Sequence, residues 1–175
     1  MLRAITEPER SPAYRLGGLL LFAATAVILT ALAFEHLGGY LPCPLCLQQR
    51  YAYYAAIPAL FLALVLVAAD NGRIAALLFG LIALAFLANA GLGIYHAGAE
   101  WKFWDGPTTC AAVGQPLSTS AGGLLKSLDK TRVIRCDEAP WHLFGLSFAG
   151  WNVVASVLLA LGSIAAAAKA LRTSA

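Results

Sequence analysis

Four long apolar runs without a charged residue alternate with polar segments along the chain. They cover residues 16–34, 51–69, 74–95 and 143–168. A helix that crosses a bilayer needs about 20 consecutive apolar residues, and each run is close to or above that length. Backbone N–H and C=O groups find no water in lipid, so a helix, which pairs them internally, is the expected conformation. The pattern predicts an all-α membrane protein, a single domain of four transmembrane helices formed by residues 1–175.

Two polar loops, residues 35–50 and residues 96–142, connect these runs on one face of the predicted bundle. Two spans separate the loops, so both must lie on the same side of the membrane, with both termini on the opposite side. Within the second loop, residues 117–128 place leucines at helical spacing. This predicts a short amphipathic helix on the membrane surface, and an irregular loop that buries a few leucines is the alternative.

The composition agrees with a membrane protein, since 60% of the residues are hydrophobic and only 12% are charged. Soluble domains have about 45–50% apolar and about 25% charged residues. The net charge of +3 comes without a basic stripe or a nucleic-acid motif, so no nucleic-acid partner is expected. The first apolar run is long for a signal peptide and no clean cleavage site follows it, so we interpret it as a retained helix.

The basic residues indicate which side of the membrane each segment faces. Lys and Arg are equally numerous on the two sides, six on each, but the terminal-side segments are much shorter and their basic density is higher. Lys and Arg close to the spans favour the cytoplasmic side. We therefore expect cytoplasmic termini and two extracytoplasmic loops, which carry all four cysteines and lie where disulfides persist.

Cys43 and Cys46 form a C-x-x-C motif shortly before the second apolar run. Pro44 suits the first position of a helix, which predicts Cys43 as the N-cap and places Cys46 in the first turn. A helix N-terminus favours an anion, so Cys46 is positioned to be a stabilised thiolate, the reactive form of cysteine. Arg50 follows on the same helix face, either as a cation beside this thiolate or as an interface anchor that extends its charge to water.

The four cysteines allow three pairings, and we expect Cys43–Cys46 and Cys110–Cys136 in the resting state. The first pair closes a very small loop and has little value as a structural brace, so it is more typical of a catalytic disulfide. The second pair lies in the long loop, where a soluble protein can reach it. Two structural disulfides in a non-enzymatic membrane scaffold are the alternative.

Metal chemistry has weaker support in the sequence, and no metal is expected. Zinc sites usually combine two closely spaced ligand pairs, whereas Cys110 and Cys136 are far apart. A c-type haem needs a histidine directly after the C-x-x-C motif, where the chain has Leu47. A b-type haem held by two of the three histidines is a further alternative. The histidines are His36, His96 and His142.

A catalytic disulfide has to be regenerated by an electron acceptor, because thiol–disulfide exchange transfers oxidising power without creating it. The sequence has no flavin, haem or dinucleotide-binding motif. The position of Cys46 beside the apolar phase favours a lipid-soluble acceptor. Quinone, either ubiquinone or menaquinone, is the expected one.

The ordered combination of these motifs resembles the disulfide bond formation protein B (DsbB) family, quinone-dependent oxidases of the bacterial inner membrane. The resemblance covers nearly the whole chain. It rests on Glu35-His36, Pro42-Cys43-x-x-Cys46-x-x-x-Arg50, Tyr95-His96, Cys110, Cys136, Trp141 and Gly145. The best-known members carry an acidic residue where this chain has Gln49, so a role for that carboxylate does not transfer.

The resemblance implies a relay of disulfides. A reduced periplasmic thioredoxin-like dithiol oxidase (DsbA) would attack Cys110 and release Cys136, which would pair with Cys43. Cys46 would then engage quinone as a thiolate, and reformation of the Cys43–Cys46 disulfide would leave quinol.

The resemblance also implies a quinone site that includes Arg50, which would stabilise the negative charge, with His96 close by. A vitamin K epoxide reductase-like protein is the nearest alternative, since such proteins also combine a helical bundle, a C-x-x-C motif and quinone. They place the reactive motif late in the chain, after the loop pair, whereas here it comes first.

Overall fold

The computed structural model of the protein describes residues 11–106 and 136–173. Within these ranges the chain forms long α-helices and one short β-hairpin. The helices are α1 (Pro12–His36), α2 (Pro44–Ala68), α3 (Gly72–Glu100) and α4 (Phe148–Thr173). Each is long and apolar enough to cross a membrane, which confirms the predicted all-α architecture with four spans. The amphipathic helix predicted for residues 117–128 lies outside the described residues.

The first three helices extend beyond the apolar runs, because capping and polar residues continue the backbone hydrogen bonding. At the start of α1, the Ser11 hydroxyl accepts the N–H of Tyr14 (3.0 Å). Pro44 opens α2 well before the uncharged run, and α3 continues past that run to Glu100. Both extensions place reactive side chains on helices instead of in loops.

The fourth helix begins later than predicted, at Phe148 instead of at the start of the apolar run. The preceding residues form an antiparallel hairpin, with strands β1 (His142–Leu143) and β2 (Leu146–Ser147). Phe144 and Gly145 make its two-residue turn with positive φ angles of 52° and 81°, as a tight hairpin turn requires. The apolar residues at the start of this run therefore belong to a turn, which the hydrophobic pattern alone does not reveal.

Each helix packs against two neighbours, so α1, α2, α3 and α4 form a closed ring. The contacts show that α1 runs antiparallel to α4: a Cβ on Gly162 would lie 2.6 Å from Leu20, and Phe34 packs against Phe148. The start of α1 and the end of α4 therefore share one end of the bundle. The end of α1, the start of α2, the end of α3, the hairpin and the start of α4 lie together at the other end.

Aliphatic and aromatic side chains fill the interior of the ring, including the buried Leu60, Phe79 and Phe86. The outward positions of the spans are also apolar, and Phe22 and Leu77 are 75% and 67% exposed. Soluble proteins rarely leave contiguous apolar faces of this kind in water, whereas lipid tails are as apolar as these side chains. The distribution therefore fits a bundle surrounded by lipid.

Polar side chains between the helices pair with one another, as the lack of water in a membrane requires. Asn89 is buried and donates to Asn152 Oδ1 (3.3 Å) and Ser156 Oγ (3.0 Å). Tyr53 donates to the same Asn152 oxygen (2.9 Å). This cluster connects α2, α3 and α4 within the bundle, further inside than the end that carries Cys43 and Cys46.

Replacing Gly17 by leucine is expected to destabilise the bundle, because an added Cβ would lie 2.8 Å from Leu64 and 3.0 Å from Phe79. Overpacking of this kind costs about 1–3 kcal/mol. Thermal unfolding of the purified chain in detergent measures the loss. Gly18→Leu is the matched control, since beyond its chain neighbours and the backbone of its own helix no described atom lies within 4 Å of a Cβ at that position. Equal melting temperatures for the two variants would contradict this packing of α1.

Candidate active site

The sulfur pair lies at the start of α2, where the local sequence fixes it. Cys43 has extended backbone angles (φ −75°, ψ 164°) and caps the helix, while Pro44 opens it, as predicted. The Cys46 N–H donates to Cys43 Sγ (3.2 Å), and the two sulfur atoms are 2.8 Å apart. Both cysteines are free, so the structure represents the dithiol, and the resting disulfide between them stays a prediction.

His96 approaches the sulfur pair from the last turn of α3. Its ring is buried, and Nε2 lies 3.6 Å from Cys43 Sγ. On the opposite side of the ring, the amide nitrogen of Gln49 donates to Nδ1 (2.9 Å). Gln49 follows Cys46 by about one helical turn and is also buried. Residues at the start of α2 therefore contact both ring nitrogens and fix the orientation of the imidazole.

Glu100 adds a buried carboxylate to the cluster. Its Oε1 lies 3.7 Å from His96 Nε2, and its side chain is only 5% exposed. Ser147 donates its hydroxyl proton to the other carboxylate oxygen and accepts the Gly150 N–H at the start of α4 (3.2 Å). Reasoning from the sequence missed Glu100. Its position four residues after His96, on the same helix face, is the signal that could have identified it.

The contacts at the helix start make Cys43 the more acidic sulfur of the pair. The hydrogen bond with Cys46 lowers the pKa of the Cys43 thiol from 9.0 to about 5, burial opposes this change, and His96 lowers the pKa further. From the sequence, the anion is expected on Cys46, in the first turn of the helix. In the structure Cys43 accepts the Cys46 N–H and faces His96, so we assign the thiolate of the dithiol state to Cys43.

Cys136 lies beside this pair. It is 1% exposed and belongs to a small apolar cluster with Cys43 and Leu45, against which Cys46 packs. Cys136 is disulfide-bonded, and its predicted partner, Cys110, lies outside the described residues. The structure therefore brings three of the four predicted redox cysteines together at one end of the bundle.

A cleft of about 1020 Å³ opens beside the sulfur pair between α1, α2 and α4. Cys43 and Cys46 both line it. Its apolar walls include Val27, Ile28, Phe34, Trp141, Phe148 and Trp151. Small-molecule sites usually measure about 300–1,000 Å³ and combine apolar walls with a few polar groups. The cleft is therefore large enough for an aromatic or quinonoid ring with part of a hydrocarbon tail.

Arg50 lines the same cleft and forms an ion pair with Glu35 of α1. The two side chains are 12% and 24% exposed, so the pair is largely removed from water. A guanidinium group stays protonated in proteins, and the cleft therefore has a fixed positive charge in its wall. The predicted roles of Arg50 and His96 toward an acceptor stay predictions. Glu35 is the only acidic residue in the segment 35–50, which is the signal that could have identified it as the partner.

The sulfurs of Cys43 and Cys46 and a ring nitrogen of His96 lie within 4.8 Å of one another. Tetrahedral zinc with Zn–S bonds of about 2.3 Å would hold two thiolates roughly 3.7 Å apart, whereas these sulfurs are 2.8 Å apart. His36 bonds instead to the Leu32 carbonyl (3.0 Å), and both nitrogens of His96 face protein groups. We assign neither zinc nor haem to this cluster.

Known proteins of one family match nearly the whole chain. The family model described as disulfide bond formation protein DsbB matches residues 14–166. Disulfide bond formation protein B of Verminephrobacter eiseniae is 30% identical over 177 residues, covering 94% of this chain and 90% of that protein. Its namesake from Herminiimonas arsenicoxydans is 33% identical over 145 residues, covering 79% and 85%. The one from Xanthomonas oryzae pv. oryzae is 32% identical over 176 residues, covering 92% and 94%. No solved structure matches the chain.

The alkylation rate of Cys43 in the reduced chain is expected to follow a pH midpoint near 5 instead of 9. A thiol with a lowered pKa stays deprotonated at neutral pH and loses its reactive thiolate only when the pH falls through the lower value. Mass spectrometry after pulses of iodoacetamide measures the labelling of each cysteine. Cys46→Ala removes the main cause of the shift, so its midpoint should move up towards 9. A midpoint near 9 in the unmodified sequence would contradict the assignment.

Proposed function

The chain belongs to the disulfide bond formation protein B family, and on this basis we propose that it is a dithiol:quinone oxidoreductase of the bacterial inner membrane. In this proposal its cysteine-bearing loops face the periplasm and reoxidise a thioredoxin-like dithiol protein (DsbA). Two electrons per cycle pass through two disulfides to quinone, which supports disulfide bond formation in other proteins. One observation carries the proposal: Cys43 and Cys136 belong to one buried cluster, against which Cys46 packs, and Cys43 and Cys46 also line an apolar cleft.

The cycle begins when a thiolate of the reduced partner attacks Cys110, forms a mixed disulfide and releases Cys136. The freed Cys136 thiolate attacks Cys43 and displaces Cys46 from the oxidised pair. The second thiol of the partner then displaces Cys110, which attacks Cys136 and releases Cys43. Each exchange breaks one S–S bond and forms another, so the partner leaves oxidised while Cys43 and Cys46 hold its two electrons.

The place of Cys43 in one buried cluster with Cys136 supports this order of exchange. Thiol–disulfide exchange requires direct approach of the attacking sulfur, and a sulfur of low pKa leaves faster. Cys43 lies in the same buried cluster as Cys136 and its pKa is held near 5. It therefore has both properties that are needed to be released from a disulfide with Cys136.

Quinone is the proposed acceptor because the cleft beside Cys46 is lined by apolar side chains of three membrane-spanning helices. Quinone takes up two electrons and two protons and leaves the cleft as quinol. The guanidinium group of Arg50 offers a fixed positive charge to an anionic sulfur or to a ring oxygen that gains negative charge. Glu35 holds this guanidinium in the cleft wall, and His96 lines the cleft from α3.

The same dithiol weighs against both alternatives to this function. A scaffold braced by disulfides does not need a free thiol whose pKa is held near 5 at a helix start. A vitamin K epoxide reductase-like protein would carry its reactive pair late in the chain, whereas Cys43 and Cys46 lie on the second helix, ahead of Cys136.

Replacing Cys46 by serine is expected to reduce quinone turnover by more than about 1,000-fold, because loss of a reacting nucleophile removes the chemical step itself. The assay follows quinone absorbance with the full chain in detergent and an excess of reduced thioredoxin-like partner. Ubiquinone and menaquinone are compared in parallel. Wild-type turnover in the Cys46→Ser chain would rule out the proposed mechanism.

Replacing Arg50 by methionine is expected to lower kcat/KM for quinone by roughly 10–100-fold, because a positive charge next to a developing anion is lost. The dithiol partner should still exchange disulfides with the loop cysteines, which a gel-based assay of the mixed disulfide measures. Arg73→Met is the matched control, since Arg73 lies at the start of α3, at the opposite end of the bundle. Equal losses in both variants would contradict a role of Arg50 in the cleft.

A further inference from the structure

Gln49 and Glu100 contact opposite nitrogens of His96, and the proposed cycle assigns a role to neither. The Gln49 amide nitrogen lies 2.9 Å from Nδ1, and a Glu100 carboxylate oxygen lies 3.7 Å from Nε2. Gln49 and the Glu100 side chain are both only 5% exposed. Burying a polar group is costly unless it is hydrogen-bonded, so the contacts of these two groups with a ring beside a reactive sulfur need a physical explanation.

The contact with Gln49 determines which nitrogen of the neutral ring carries the proton. An amide nitrogen can only donate hydrogen bonds, so Nδ1 of His96 has to accept and the proton resides on Nε2. The Nε2 atom lies 3.6 Å from Cys43 Sγ and 3.7 Å from Glu100 Oε1. A single N–H group therefore lies near two atoms that are both negative when ionised, and His96 also has a hydrogen bond with the backbone of Cys136.

Two negative charges around one N–H group are unfavourable in a buried site, whereas one can be stabilised. The neighbouring elements offer little further compensation. Among the described residues, two other titratable groups interact electrostatically with Glu100. They are Cys46 of α2 and His142 of β1. Arg50 is already paired with Glu35. Ionisation of Cys43 and ionisation of Glu100 are therefore coupled and oppose each other.

We propose that Glu100 takes up the proton that Cys43 releases on becoming a thiolate, and that Gln49 is the positioning residue that keeps the His96 N–H directed at both groups. This inference rests on the proposed function and assigns it a proton acceptor. The S–H bond of Cys43 breaks, an O–H bond forms on Glu100, and no electron moves. The cluster keeps one negative charge throughout, and the His96 N–H changes its hydrogen bond from the carboxylate to the thiolate.

The test for Glu100 is the ultraviolet titration of the Cys43 thiolate in the reduced full chain, with Cys110 and Cys136 replaced by serine. Because coupled groups titrate in two macroscopic steps, the parent curve should be broader than a one-proton curve. Glu100→Gln should give a single step whose midpoint is lower by about one pH unit, a tenfold change in proton affinity. Superimposable curves would overturn the inference.

Ser147→Ala is the matched control for this titration. It removes a hydrogen bond to the same carboxylate but keeps the charge, so the two-step curve should persist. Infrared difference spectra provide a second measurement. Reduction of the sulfur pair should produce the C=O band of a protonated carboxyl group, and this band should be absent in Glu100→Gln. Its persistence in that variant would assign the proton to another group and overturn the inference.

The role of Gln49 is tested by ¹⁵N NMR of histidine-labelled chain, with the His96 signals assigned through His96→Asn. The original chain should show a protonated Nε2 and an unprotonated Nδ1 at neutral pH. In Gln49→Glu, the carboxylate can accept a hydrogen bond from a protonated Nδ1, and the ring should become doubly protonated. A protonated Nδ1 in the original chain would overturn this assignment.

These measurements do not depend on quinone turnover. A chain that fails to reduce quinone but shows the coupled titration would refute the proposed function and leave the coupling of Cys43 and Glu100 intact. A chain that reduces quinone while its Cys43 titration is insensitive to Glu100 would refute the present inference alone.

Discussion

The hydrogen bond from the Cys46 backbone to the Cys43 sulfur determines where the chemistry of this protein takes place. It exists because Pro44 opens α2 and leaves Cys43 as the N-cap. A capping side chain is normally an oxygen acceptor such as Ser or Asp. Here a sulfur takes that position, so the interaction that starts a membrane helix also stabilises a thiolate. The C-x-x-C spacing then places the second sulfur 2.8 Å away, within reach of disulfide formation.

The apolar surroundings of α2 and α3 require every polar group near this sulfur to have a partner. The partners come from different helices: Gln49 of α2 contacts His96 of α3, and Glu100 of α3 contacts Ser147 at the start of α4. The hydrogen bonds that satisfy these groups also fix the ends of three helices relative to one another. Because of this shared use, the reactive end of the bundle is held in a defined geometry although it is rich in polar side chains.

The sequence was sufficient to predict the features that depend on local order along the chain. Four apolar runs predicted four helices, and the Cys43-Pro44 step predicted the start of α2. The pairs Gln49–His96 and Arg50–Glu35 were not predicted, because they join different helices. Their formation depends on how the helices rotate against each other, which the spacing of apolar residues does not determine when all faces are apolar. The hairpin before α4 was missed for a related reason, since its short apolar strands read as a continuation of the span.

Glu35 and Glu100, two of the carboxylates that line the cleft, show how environment separates their roles. Glu35 faces the guanidinium group of Arg50, a cation that does not lose its proton, so its negative charge is permanently compensated. Glu100 faces the Ser147 hydroxyl group and the His96 imidazole, neither of which carries a permanent charge as a guanidinium group does. A carboxyl group without a permanently charged partner can exchange its charge for a proton at lower cost. Residues of the same type at the two walls of one cleft can therefore serve opposite purposes: one keeps a constant field near the sulfur pair, and the other adjusts its protonation to the state of that pair.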